Sequence, residues 1–349
     1  MLTKTRIGTW VKAFKGFYDK NDPIAQQDLV ARLLFSARSL ILVISAQAAV
    51  IAGLLAYVDG KFNPIAFLLI LIGFVTIHAA SNLLNDYFGY YRGHDTEDSP
   101  RRRYTLHPVA DGILTKNQIK YAIILLISIN VFIGAYLAAV RGLLIVVFAV
   151  VGLLMLLLYD AAPKPLKSIG LGEIASFIVW GPLMILGGYF AVTGSLSINA
   201  LLVSIPYGLG VMSILVGKHI DQESYDVRKG IHTLPVIVGE KTARVLAICS
   251  IVLMYAFTFV SVAYGALALT AVLVLLNYRK LSNAIRVLSK ERPSEAPKGY
   301  NGWPLWYHRQ CLLHNKSFGW LYIAALLIAA LVASTPFYKY EFIKILPAL

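Results

Sequence analysis

Long uninterrupted apolar segments constrain this chain more than any other feature of its sequence. Ile124–Val140 (ILLISINVFIGAYLAAV) and Leu143–Tyr159 (LLIVVFAVVGLLMLLLY) contain no charged residue. A helix needs roughly 20 apolar residues to cross the hydrocarbon core of a bilayer, about 30 Å thick, and these segments approach that length. Only 14% of the 349 residues are charged, against about a quarter in a typical soluble domain. The sequence therefore predicts an all-α polytopic membrane protein.

Nine segments have the composition of transmembrane helices, and the eighth of them is short. The predicted spans are Leu34–Val58, Asn63–Asp86, Ile119–Val140, Gly142–Tyr159, Gly170–Phe190, Ile198–Gly217, Ala243–Tyr264, Gly265–Asn277 and Phe318–Ala333. With alternating direction, 28 of the 32 lysines and arginines fall on the side of the N-terminus, and four fall on the other side, namely Lys61, Arg141, Lys339 and Lys344. Because lysine and arginine accumulate in cytoplasmic loops, we expect a cytoplasmic N-terminus. The net charge of +14 then reflects topology, and we expect no nucleic-acid partner.

The first 33 residues differ in character from the rest of the chain. They lack the continuous apolar core and cleavage site of a signal peptide, and they predict a short amphipathic segment on the membrane surface. Its aromatic and basic residues are Trp10, Phe14, Phe17, Tyr18, Lys12, Lys15 and Lys20. We expect residues 34–349 to form a single transmembrane domain with polar cytoplasmic loops at 87–118 and 218–242.

Two polar clusters occupy matching places in the chain. SNLLNDYFGYYRGHDT (residues 81–96) follows the second span, and KHIDQESYDVRKGIHTLP (residues 218–235) follows the sixth. Each is followed by a Thr-Leu turn and another span, so the chain divides into two similar halves. This layout predicts a bundle of four plus four plus one helices around a central cavity, with both clusters on the cytoplasmic side.

Helical spacing puts several polar residues of each cluster on one face. These residues are Asn82, Asn85 and Asp86 in the first cluster and His219, Gln222, Glu223 and Asp226 in the second. Asp221 lies about 200° from His219 at 3.6 residues per turn, so it joins that face only if the helix is distorted. Facing carboxylates repel unless a cation lies between them, and Mg²⁺ prefers a few carboxylates together with phosphate oxygens. With nearby basic residues that suit a phosphate, the two clusters predict a magnesium site for a lipid diphosphate.

At these residues the sequence resembles the UbiA superfamily of intramembrane prenyltransferases. The resemblance extends over nearly the whole chain. NLLNDYFGYYRGHDT (residues 82–96), KSIGLGEIASFIVWGPLMILGGYF (residues 167–190) and KGIHTLPVIVGE (residues 229–240) are most similar to the MenA-type branch, the 1,4-dihydroxy-2-naphthoate polyprenyltransferases. The resemblance implies Mg²⁺-dependent transfer of a polyprenyl group from its diphosphate to an aromatic quinone precursor in the bilayer, at a site that faces the cytoplasm.

The resemblance also implies roles for particular residues. It assigns the metal ligands to Asp86, Asp95, Asp221, Glu223 and Asp226, and the diphosphate ligands to Tyr159, Lys164, Arg102 and Arg228. Asn82 and Asn85 would orient the carboxylates or bind the metal, and Asp86 and Asp226 would hold the metal on which ionisation of the diphosphate depends. His94 and His219 are possible general bases, although a histidine near a helix end is more often structural.

This chain departs from the family pattern at three positions. Gly89 and Gln222 stand where the family has aspartates, and His107 stands in place of an arginine. These departures leave open the number of Mg²⁺ ions and the acceptor, which could instead be a hydroxybenzoate, a lipid alcohol or haem. An intramembrane terpene cyclase, a non-catalytic lipid-diphosphate binder and a transporter are further alternatives. Deep within the spans only His78 is ionisable near neutral pH, which disfavours an ion pathway.

Overall fold

Helices account for nearly all regular structure in the chain. The computed structural model describes residues 6–16, 23–300 and 302–333. Its α-helices are α1 (Arg6–Lys15), α2 (Leu29–Ser36), α3 (Val43–Val58), α4 (Pro64–Tyr91), α5 (Pro100–Tyr104), α6 (Lys116–Arg141), α7 (Leu144–Asp160), α8 (Gly172–Ile178), α9 (Gly187–Thr193), α10 (Ile198–Arg228), α11 (Leu234–Val238), α12 (Glu240–Ala263), α13 (Tyr278–Leu288) and α14 (Tyr307–Ala333). Within these described ranges β-pairing is limited to an isolated bridge between Ile169 and His232. The predicted all-α class is confirmed for this part of the chain.

Seven helical segments of the described chain are long and apolar enough to cross a membrane. They are Ser39–Val58, Pro64–Tyr91, Lys116–Arg141, Gly172–Thr193, Ile198–Arg228, Glu240–Ala263 and Tyr307–Val332. The fourth predicted span is the shorter apolar helix α7. The eighth is a 3₁₀ helix, Leu269–Asn277, that leads directly into α13, because the apolar run ends at Tyr278 and is followed by Arg279 and Lys280. The chain is an integral membrane protein, and the count of nine spans stays a prediction.

The helices α4 and α10 are longer than a bilayer requires. Asn63 and Ser197 begin them, each accepting a hydrogen bond from a backbone N–H three residues on. The two helices have 28 and 31 residues, which correspond to about 42 and 46 Å at 1.5 Å per residue. Residues 87–91 and 218–228, which the sequence predicts as the beginnings of polar loops, therefore continue as helix. The second polar cluster begins on the extension of α10, whereas Asn82, Asn85 and Asp86 lie on α4 just before its extension.

The helix α10 forms the centre of the bundle. It packs against α3, α8, α12 and α14, and the Tyr207 hydroxyl donates to the Ile44 carbonyl at 2.7 Å. A π-helical turn, Val179–Leu186, joins α8 to α9, with a non-helical backbone at Gly181 before Pro182. A Cβ at Gly181 would lie 3.1 Å from the Ser204 carbonyl oxygen, so glycine allows this turn to approach α10 closely.

The described part of the N-terminal segment is folded. The helix α1 packs against α2, and the Trp10 indole N–H donates to the Asp28 carboxylate at 3.0–3.1 Å. Asp28 also begins α2 by accepting from the Ala31 N–H. The remaining predicted surface residues Phe17, Tyr18 and Lys20, as well as Lys339 and Lys344, lie outside the described residues.

Candidate active site

The polar ends of α4 and α10 meet around a small pocket of about 70 Å³. Asn85 and Asp95 contribute to it from the first polar cluster, and Gln222 and Asp226 contribute from the second. The other charged or titratable residues of its wall are His94, Arg101, Lys167, Lys218, His219 and Tyr225. The structure thus brings together the two clusters that are more than 100 residues apart in sequence.

Asp86 is completely buried beside this pocket and is held by two arginines. The Arg101 guanidinium donates to both of its carboxylate oxygens, at 2.9 and 3.0 Å, and Arg38 forms a further close ion pair with it. Burial disfavours the charged form of Arg101, but the Asp86 carboxylate outweighs burial and raises the pKa of Arg101 above its ordinary value. The negative charge of Asp86 is therefore already balanced by protein groups.

Asp95 reaches the pocket because the chain folds back on the end of α4. The backbone N–H groups of His94 and Asp95 donate to the Gly89 carbonyl at 2.8 and 3.0 Å. A side chain at Gly89 would overlap the Asp95 carboxylate, so the glycine found here in place of the family's aspartate makes room for Asp95. Oxygen atoms of Asp86 and Asp95 and a ring nitrogen of His107 lie within 4.8 Å of one another, and His107 Nε2 is 3.3 Å from Asp95.

The second cluster places Asp226 opposite these groups. Asp226 is buried and accepts a hydrogen bond from the Thr233 hydroxyl at 3.1 Å. The neighbouring Tyr225 hydroxyl donates to the His94 carbonyl at 2.6 Å, which ties the two clusters together. Burial and the Lys167 charge lower the pKa of His94, which favours its neutral ring. His219 Nδ1 lies 2.6 Å from the buried Glu173 carboxylate, a partner that the sequence motifs did not indicate.

Two carboxylates proposed from the family pattern lie elsewhere. The Asp221 carboxylate accepts the backbone N–H groups of Tyr307 and His308 at 3.1 and 2.9 Å, where it satisfies unpaired donors at the start of α14. Because α10 is continuous through this region, Asp221 faces away from the pocket. Glu223 lies beside the Glu240 backbone at the start of α12. Neither lines the pocket, so the metal site proposed below leaves out both residues.

The cations of the pocket also differ from those predicted. Lys218 and Lys167 line it, whereas Lys164 is exposed and lines neither the pocket nor the cavity below it. Among the other predicted diphosphate ligands, Arg102 pairs with Asp111 at 2.9 Å and the exposed Arg228 lies 3.7 Å from Asp98. Lys167 and Lys218 are among the basic residues near the two clusters that suit a phosphate, although the family resemblance did not assign them.

Lys218 and Lys167 are not equally available to a ligand. Lys167 Nζ donates to the buried Asp160 at 2.5 Å. Lys218 makes no hydrogen bond or ion pair with any residue that the structure describes. Its ammonium group is therefore the cation of the pocket that is free to bind an anion.

The predicted asparagines and Tyr159 connect the pocket to the rest of the bundle. Asn85 Nδ2 donates to Asp160 at 2.8 Å, and Asn82 Nδ2 donates to the Ala37 carbonyl at 2.9 Å. Tyr159 lines the large cavity described next. Asp160 was missed by the sequence argument because it ends an apolar run and looks like an ordinary helix end.

A cavity of about 900 Å³ extends from the pocket into the apolar part of the bundle. Its walls are mostly apolar side chains of α3, α4, α6, α7, the α8–α9 segment and α10. Asn85, Arg101 and Lys218 line both the cavity and the polar pocket. The two compartments therefore share a wall, with a charged chamber at one end and an apolar chamber within the membrane.

A helical membrane protein with a polar, cation-lined pocket above a long apolar cavity has the architecture of an intramembrane prenyltransferase. The profile of the UbiA prenyltransferase family matches residues 46–308. This chain belongs to that family and is a prenyltransferase, which confirms the resemblance predicted from its motifs.

Known relatives and a solved structure agree with this assignment. The 1,4-dihydroxy-2-naphthoate octaprenyltransferase of Bacillus subtilis (strain 168) is 27% identical over 226 residues, which cover 65% of this chain and 72% of the relative. The enzyme of the same name from Escherichia coli (strain K12) is 30% identical over 206 residues, 56% of this chain and 65% of the relative. The apo structure of a UbiA homolog from Aeropyrum pernix K1 shares the fold, with a TM-score of 0.63 at 16% identity, over 82% of this chain and 97% of that one.

Proposed function

We propose that this protein transfers a polyprenyl group from a polyprenyl diphosphate to an aromatic quinone precursor, 1,4-dihydroxy-2-naphthoate or a close analogue. The observation that carries the proposal is the wall of Asn85, Arg101 and Lys218 shared by the polar pocket and the apolar cavity. A polyprenyl diphosphate has the same two parts, since its multiply charged headgroup adjoins a long hydrocarbon chain. The names of the Bacillus subtilis and Escherichia coli relatives support the naphthoate acceptor.

The oxygen donors of the pocket suit a Mg²⁺ ion. Asp95 and Asp226 would supply two carboxylates, with the amide oxygens of Asn85 and Gln222 in the same wall. Mg²⁺ typically binds one or two protein carboxylates together with substrate phosphate oxygens, so this small set is sufficient. When bound, the ion neutralises charge on the leaving pyrophosphate. Asp86, already paired with Arg38 and Arg101, would orient Arg101 toward the diphosphate.

The protein side chains would promote ionisation by stabilising the leaving group. Lys218, Lys167 and Arg101 face the space where the diphosphate would bind, and preorganised cations there lower the barrier to breaking the allylic C–O bond. The apolar cavity excludes water from the resulting allylic cation. We assign His94 as the group that receives the phenolic proton while a ring carbon of the acceptor forms the new C–C bond. The dienone so formed regains its aromatic ring when that carbon loses its proton, or its carboxyl group as CO₂.

The orientation in the membrane follows from charge. In the nine-span arrangement, 28 of the 32 lysines and arginines lie on the side of the N-terminus, which we assign to the cytoplasm. Both polar helix ends lie on that side, so the proposed active site faces the cytoplasm. This orientation would be tested by labelling single cysteines introduced at Lys164 and Lys61 from either side of sealed vesicles.

The test uses the purified protein with Mg²⁺, radiolabelled geranylgeranyl diphosphate and a panel of aromatic acceptors. We expect a prenylated naphthoate whose formation stops when EDTA removes Mg²⁺. Product formed without any acceptor would instead indicate a cyclase, and product with only a hydroxybenzoate or a lipid alcohol would change the acceptor class. No turnover with any acceptor, despite diphosphate binding, would contradict the proposal.

A pair of lysine variants tests the proposed headgroup site. We expect Lys218→Met to raise the KM for the prenyl diphosphate by roughly 10- to 100-fold, because a charge-assisted interaction of about 1.5–3 kcal/mol is lost. Lys164→Met, which removes an exposed lysine outside the pocket, should leave that KM unchanged. Equal effects of the two substitutions would contradict the placement of the diphosphate.

A further inference from the structure

His78 is a polar residue that the proposed mechanism does not use. It lies in the middle of α4, is only 7% exposed, and lines the apolar cavity. Polar groups at such depth cost free energy unless they are paired, and in membrane helices they commonly mark functional sites. The partners of the His78 ring therefore determine what it can bind.

A hydrogen-bonded chain favours one tautomer of His78. The Trp180 indole N–H lies 3.0 Å from Ser45 Oγ, and Ser45 Oγ lies 2.9 Å from His78 Nδ1. An indole N–H can only donate, so the Ser45 oxygen accepts it. The Ser45 hydroxyl hydrogen has no other acceptor among the described residues, and donation to Nδ1 satisfies it. A neutral imidazole that accepts at Nδ1 carries its proton on Nε2. The Trp180 ring also packs edge-on against His78, with centroids 5.1 Å apart.

The Nε2–H group opens on the apolar cavity. Nε2 has no hydrogen-bond partner among the described residues, and it is not one of the fully enclosed polar atoms that lack a partner. His78 therefore presents a single oriented donor to the cavity, on the opposite side of its ring from Ser45. Seven residues separate His78 from Asn85, which corresponds to about 10 Å along the helix axis.

We propose that His78 Nε2–H binds an uncharged oxygen, hydroxyl or carbonyl, on the ring of the aromatic acceptor. A prenyl chain offers no hydrogen-bond acceptor, so the donor is not matched to that substrate. A carboxylate would lose its hydration at this depth for a single neutral donor, which is unfavourable. The acceptor would thus lie with its ring oxygen toward His78 and its charged group toward the polar pocket, so that a ring carbon faces the prenyl group. This inference rests on the proposed function.

The test compares two ligands and three substitutions in equilibrium binding to the purified full-length protein. The ligands are 1,4-dihydroxy-2-naphthoate and 2-naphthoate, which lacks both ring hydroxyls. We expect His78→Leu to weaken dihydroxynaphthoate binding roughly 10- to 100-fold, because a site that hydrogen-bonds a ligand hydroxyl discriminates strongly for it. The same His78→Leu substitution should leave the affinities for 2-naphthoate and geranylgeranyl diphosphate unchanged.

A second pair of variants keeps a polar side chain at position 78. The amide of His78→Gln can extend an N–H group to the position of Nε2, whereas the shorter amide of His78→Asn cannot. We expect Gln to restore dihydroxynaphthoate affinity to within about threefold of the wild type, and Asn to behave like Leu. The contrast between Gln and Asn tests whether His78 binds the acceptor even if His78→Leu fails to fold.

Two results would overturn the inference in different ways. If the wild type binds dihydroxynaphthoate and none of the His78 variants differs from it, His78 does not contact the acceptor, and the proposed function stands. If the wild type binds geranylgeranyl diphosphate but neither naphthoate, the acceptor class is wrong, and the assignment of His78 is refuted together with it.

Discussion

Replacing Gly89 with alanine tests whether Asp95 works from the position that this structure gives it. A Cβ at residue 89 would lie 2.9 Å from Asp95 Cγ, about 0.6 Å or more inside the normal separation of two carbon atoms, roughly 3.5–4.0 Å. The atoms in the way belong to the end of a side chain, so Asp95 should rotate aside and the backbone should remain in place. We therefore expect the carboxylate to leave the wall of the pocket.

Gly89→Ala should weaken metal binding without lowering the stability of the fold. With one of two carboxylates displaced, the Mg²⁺ concentration for half-maximal activity should rise about tenfold or more, as is typical when a metal site is disturbed. Glycine costs a helix up to about 1 kcal/mol relative to alanine, so thermal stability should be unchanged or slightly higher. Activity would be measured across a Mg²⁺ titration, and unfolding would be followed by tryptophan fluorescence.

A matched control is available in α6. A Cβ at Gly134 would meet Ala149 at an ordinary 3.7 Å, so Gly134→Ala should gain the same helix propensity without affecting the Mg²⁺ requirement. If Gly89→Ala is stabilised like this control and retains the wild-type Mg²⁺ dependence, then Asp95 does not hold the ion from its position against Gly89. The proposed ligand pair of Asp95 and Asp226 would then be wrong.

Two further substitutions follow from the ion pairs and helix caps. Arg101→Gln removes the bidentate partner of the fully buried Asp86 and should lower the free energy of unfolding by about 3 kcal/mol. The control Arg102→Gln breaks a more exposed ion pair and should lower it by less than about 1 kcal/mol. Equal melting temperatures of the two variants would contradict this expectation. Asp221→Asn weakens the cap of α14 and should lower the melting temperature. The Mg²⁺ concentration for half-maximal activity should not change, because the carboxylate lies outside the pocket. A raised Mg²⁺ requirement would show that Asp221 helps to bind the metal.

The apolar runs and the polar motifs of the sequence were enough to predict the class of fold and the family. Apolar runs that approach the thickness of a bilayer leave the backbone few options besides helices, and the motifs around Asn82 and Asp226 identified the superfamily. The same periodicity argument placed Asp221 off the face of His219, which the continuous helix α10 bears out. These inferences depend on local properties of the chain, which a sequence carries directly.

Tertiary structure alone decided which side chains share the pocket. Arg38 lies 48 residues and Arg101 15 residues from Asp86, and no helical spacing connects them to it, so their neutralisation of its charge could not be read from the motif. The exposure of Lys164 and the presence of Lys218 in the pocket depend on how α7 and α10 end relative to one another. The chain from Trp180 through Ser45 to His78 joins three separate helical segments. Distances between segments are set by packing, and the sequence of each segment does not contain them.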